Sequence, residues 1–184
     1  MEADWEFEAG GDAPAIEANW AGFVDLRRAP ERIWELREAA EFPDLAETLL
    51  RLNAGSSPVW SSKCDLWLEL SAGEFDAGEL DAPPGCSAHA AGCYIDLLPR
   101  SMERWALPVL VETDCRDLCA RFHAIPLRSC RADLVIRNAT FAPERSGLGI
   151  TAYLTACGAS SSEAAERLRT ALRVFADVLG VRAG

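Results

Sequence analysis

The sequence holds a single lysine, two histidines, two tyrosines and two methionines in 184 residues. No stretch approaches the roughly 18 to 20 consecutive apolar residues that a membrane-spanning helix needs. A secretory leader is basic and then apolar, whereas this chain opens on the acidic MEADWEFEAGGD, so a cytoplasmic protein is expected. The CxxC knuckle that marks structural zinc sites is missing, and so is any nucleophile elbow. GLGIT at 147–151 lacks the third glycine and following helix of a dinucleotide loop, which leaves nucleotide cofactors without support. Concentrated basic charge is absent too: Arg100, Arg104, Arg116, Arg121, Arg128 and Arg131 form the densest group and are still scattered, which disfavours nucleic acid as a partner. No internal repeat is evident.

What is present is a chain that is 49% hydrophobic and carries a net charge of −11. Such a chain can bury one core, and residues 1–184 are expected to form a single compact α+β domain, divisible into pseudo-halves at 1–92 and 93–184. The charge is uneven. Residues 1–90 carry 19 acidic against 6 basic side chains and residues 91–184 carry 10 against 12, giving −13 and +2. Seven cysteines, an odd number spread over the length, read as reduced thiols rather than a disulfide framework.

Hydrophobic periodicity sets the element order. Alternation in WEFEAG and in 15–26 predicts two strands joined by GGDAP. Pro30 and Pro43 fit first helical positions, and the stripe Ile33, Leu36, Ala40, Leu45, Leu49 and Leu52 predicts a kinked helix or helical pair. Strands are expected over 59–70 and 92–100, flanking an acidic, Gly- and Ala-rich excursion too long for a hairpin turn. A helix broken by Pro108 and Pro126, two strands over 131–142 and 147–158, and a final helix complete the chain. That last helix begins with a capping box at Ser160 and Glu163, carries the stripe Leu168, Leu172, Phe175 and Leu179, and ends at Gly180. The order favours a largely antiparallel sheet with amphipathic helices on one face, for which two ferredoxin-like halves are one arrangement.

Two constellations bear on function. Asp-Leu recurs on four expected strands, at Asp25, Asp65, Asp96 and Asp133. Because strand side chains alternate, the four carboxylates would share a polar face with Arg137, Lys63 and Trp67, and that face could bind a small molecule or a protein. The competing reading is an ordinary wetted sheet surface. The second constellation comprises Cys86, His89 and Cys93 with Cys115, Cys119 and His123, spaced three or four apart, which suits zinc or a thiol-based enzyme as the alternative. Buried cysteine is ordinarily a small apolar residue, so no cofactor is expected on balance. The favoured reading is a noncatalytic binding module, with free sheet edges that would allow a homodimer.

Overall fold

The computed structural model describes residues 1–13, 15–70, 74–84, 89–142 and 145–180. The strands are β1 (Glu2–Glu8), β2 (Ile16–Glu17), β3 (Val59–Leu70), β4 (His89–Pro99), β5 (Cys130–Ala142) and β6 (Arg145–Gly158). The helices are α1 (Arg37–Glu41), α2 (Pro43–Asn53), α3 (Pro108–His123) and α4 (Ser161–Val178), with 3-10 turns at Pro30–Glu35 and Met102–Trp105. None of the described helices is long and apolar enough to cross a membrane.

The strands form one sheet in the order β1-β5-β6-β4-β3, and β2 also pairs with β5. β3, β4, β6 and β5 pair antiparallel, whereas β1 and β2 run parallel to β5. The expected hairpin between the first two strands therefore does not form: β1 and β2 follow one another along the same edge. Ferredoxin-like halves are not confirmed: β4 spans residue 92 and β1 pairs with β5. The long strand expected over 15–26 shrinks to two residues. Beyond Glu17 the chain turns, with Gly22 at φ +93 and Phe23 N donating to Trp20 O at 3.0 Å.

Alternation explains why the helices gather on one face. Cys93, Ile95 and Leu97 of β4, Leu134 and Ile136 of β5, and Ile150, Ala152 and Leu154 of β6 all point into one core. Against them lie Leu45, Leu49 and Leu52 of α2, Val111, Leu118 and Phe122 of α3, and Leu168, Leu172 and Phe175 of α4. Pro43 starts α2 because its missing N–H is one of the unpaired donors of a first turn. Ser160 caps α4, its Oγ accepting from Glu163 N at 3.2 Å while Glu163 Oε2 accepts from Ala159 N at 2.8 Å. Gly180, at φ +77, takes the left-handed position past the helix end.

Among the described residues no helix layer covers the opposite face. Two apolar clusters close its ends. Ile16, Ala18, Trp60, Leu98 and Ala139 form one, in which Gly149 is required: a Cβ there would come within 2.8 Å of Ile16 Cδ1. Leu80, Ala90 and Cys157 form the other, so part of the acidic excursion is anchored to the sheet.

Candidate functional site

Between those two clusters lies a polar trough, and strand register fixes its floor. One row crosses five strands as Asp65, Tyr94, Tyr153, Asp133 and Asp4. The next row runs Asp96, Thr151, Val135 and Glu6. Trp67 packs on Tyr94 with ring centroids 5.9 Å apart, and Tyr94 packs on Tyr153 at 5.9 Å. A pocket of about 490 Å³ lies over Asp4, Glu6, Arg131, Asp133, Val135 and Tyr153. A second, of about 280 Å³, lies over Ile16, Lys63, Tyr94, Asp96 and Thr151. Both are lined by Arg137 and Tyr153, which makes them neighbours in one depression.

Asp96 is the most unusual group on this face. Only 7% of it is exposed, and its hydrogen bond is a 2.6 Å contact donated by Thr151 Oγ1. Burial pushes its carboxyl pKa up, against the opposing pull of the Thr151 bond and of Lys63 and Arg137. Asp133 is also shifted up by burial, although Arg131 Nε donates to it at 2.7 Å. Burial, reinforced by Asp96 and Asp65, lifts the Tyr94 hydroxyl to about 12, so it remains a donor at neutral pH. The cations are tethered. Lys63 pairs with Glu17 at 3.3 Å, Arg137 with Glu8 at 3.0 Å, and Arg131 with Asp133 at 2.7 Å. Arg137 Nε is buried without a hydrogen-bond partner among the described residues.

The structure brings Asp65, Asp96, Asp133, Arg137, Lys63 and Trp67 to the helix-free face but leaves Asp25 out. Asp25 lies off the sheet, ahead of a turn, where Arg27 Nε and Nη2 donate to its two carboxylate oxygens at 2.7 and 2.9 Å. That bidentate bond, aided by charge, lowers its pKa in spite of burial. Tyr94, Thr151 and Tyr153, which carry no charge, join them on this face. Their signal was parity with Asp96 in CYID and the alternation of ITAYL.

The described members of the Cys and His constellation are dispersed, the cysteines at core positions and the two histidines at exposed ones. Cys93, Cys115 and Cys119 are buried in the helix-side core. His89 is exposed at the start of β4, with Nδ1 3.2 Å from Ser161 Oγ. His123, at the end of α3, accepts from Ala3 N at 3.2 Å through Nε2. Cys86 lies outside the described residues. Among the described residues no group of three or more His, Cys, Asp or Glu side chains is placed to hold a metal ion. Burial raises Cys64, Cys115 and Cys130 to about 12 and Cys119 to about 11, and raises Cys93 further. These thiols stay protonated at neutral pH, the opposite of an activated nucleophile. Comparison of the chain with known protein families, with curated proteins and with solved structures finds no match.

Proposed function

We propose that the protein is a noncatalytic binding module that receives a polar small molecule in the trough on the helix-free face of its sheet. The observation that carries this reading is the joint placement of Asp96, a carboxylate with 7% exposure that lines a pocket of about 280 Å³, and a neighbouring pocket of about 490 Å³ that shares Arg137 and Tyr153 with it. Small-molecule sites run from about 300 to 1,000 Å³ and combine apolar or aromatic surface with a few fixed polar groups. Tyr94 and Tyr153 supply the first requirement, and Asp96, Thr151 and Arg137 the second. A bare wetted surface would leave its carboxylates in water, whereas Asp96 is held out of it at a desolvation cost. Catalysis is not favoured, because the buried thiols are protonated and neither His89 nor His123 lines either pocket.

Heteronuclear NMR on ¹⁵N-labelled protein, titrated with a panel of small polar compounds of both charges, tests the reading. The expected result is a set of amide shifts confined to β4, β5 and β6 around Asp96, Asp133 and Tyr153. Shifts mapping to α2, α3 and α4 instead, or none across the panel, would refute it.

A further inference from the structure

Charge pairing in the trough is lopsided. Lys63, Arg131 and Arg137 each have a carboxylate partner, at 3.3, 2.7 and 3.0 Å. Glu6, Asp65 and Asp96 have no cation within ion-pair distance among the described residues. Asp96 adds a second sign: it is buried, lines the smaller pocket, and among the described residues accepts a hydrogen bond from the Thr151 hydroxyl alone, although a carboxylate can accept several. A buried carboxylate short of donors is matched by a donor that carries positive charge.

Register then sets the shape of that donor. Asp96 and Glu6 stand on one row, separated by Thr151 and Val135, and Asp96 faces the irregular stretch of β3 between Ser61 and Cys64. At about 4.8 Å per strand the two backbone positions lie three spacings, or about 14 Å, apart. Thr151 and Val135, each 3% exposed, keep the floor between them low. The tyrosine rings of the adjoining row lie alongside, and aromatic faces attract ammonium groups. A compact ion cannot touch both carboxylates; an extended chain with a cation at each end can.

Building on the proposed binding role of this face, we propose that its ligand is a linear polyamine, a methylene chain with terminal ammonium groups, one seated on Asp96 and the other on Glu6. Lys63 and Arg137 border the same pocket, each paired with a carboxylate of its own, Glu17 and Glu8. The acidic net charge of −11 draws such a cation toward the protein, and the row selects its length.

Isothermal titration calorimetry at low salt with spermidine and with propylamine tests the assignment. Spermidine is expected to bind at least about tenfold more tightly than propylamine, and E6Q and D96N are each expected to lower spermidine affinity by about tenfold or more. D117N, an exposed change on α3, removes the same charge and should leave affinity unchanged. Glu6 is exposed, so E6Q is readable even if D96N fails to fold. Equal affinity for the two amines, retention of affinity in E6Q, or an equal loss in D117N would overturn the proposal. If spermidine fails while other compounds still shift amides of β4 to β6, the polyamine assignment falls and the binding surface stands. If nothing binds that face, both fall.

Discussion

Phe175→Ala tests whether α4 seals the helix-side face, on which the distinction between a covered and an open face depends. Phe175 is fully buried and stacks on Phe122 of α3, with centroids 6.1 Å apart and planes 3° from parallel. Truncating a buried phenylalanine costs about 3 to 5 kcal/mol through lost burial and the cavity left behind. For a domain of this size each kcal/mol moves the melting temperature by about 2 to 4 °C, so a fall of roughly 6 to 20 °C is expected. Arg169→Ala on the same helix is the control. Its guanidinium pairs with Glu166 at 2.8 Å and Asp44 at 3.4 Å and lies 5.2 Å over the Phe42 ring, contacts in a part-exposed setting worth about 1 kcal/mol or less. Thermal and urea unfolding followed by circular dichroism at pH 7 measures both. A double-mutant cycle with Phe122→Ala should return a coupling of about 0.5 to 1.5 kcal/mol for the ring pair. Equal melting temperatures for the Phe175 and Arg169 variants would mean that α4 does not dock as described.

Asp96 holds its proton to higher pH folded than unfolded, so stability should fall as pH rises from about 4, the unfolded value, through its raised folded value. Asp96→Asn should flatten that fall, and parallel unfolding profiles for variant and wild type would contradict it. Ser160→Ala should cost about 1 kcal/mol in urea unfolding by removing the cap of α4, and no measurable loss would mean the helix start is held by other contacts. In native buffer, mass mapping after brief thiol alkylation should find Cys93, Cys115 and Cys130 unmodified, and rapid labelling of any of them would contradict their burial.

What the sequence made legible follows from which patterns are local. Period-two alternation over β3 to β6 was enough to put Asp65, Asp96 and Asp133 on one face with Arg137, because a strand offers only two directions. The cap, stripe and terminal glycine of α4 were likewise contained within the helix. The partner of β1 was not legible: pairing with β5 joins residues more than a hundred positions apart, and nothing in WEFE distinguishes a parallel neighbour from an antiparallel one. The alternation after Ile16 misled because Ile16 and Ala18 do enter an apolar cluster before the chain turns away at Trp20 and Gly22. Cys115 and Cys119 share a helix face as their spacing implied. A metal-binding pair and a core stripe use that same spacing, and the side this one faces is core.

A sheet covered by helices on one side has two ordinary ways to treat the other, a second apolar layer or a wetted surface of exposed charge. This chain uses neither in full. It closes the ends with Ile16 and Leu80, each in its own apolar cluster, and leaves between them a depression in which a carboxylate is largely dehydrated. Dehydration favours the protonated form of Asp96, while a cation placed against it favours the ionised form. Proton and cation therefore compete for one group. It follows by linkage that a bound cation lowers the pKa of Asp96 and that acidification weakens the cation's hold, each by the same free energy. The desolvation that makes Asp96 costly in the empty fold is thus also what makes it responsive, because an exposed carboxylate, already solvated and ionised at neutral pH, would have little to gain from the same partner.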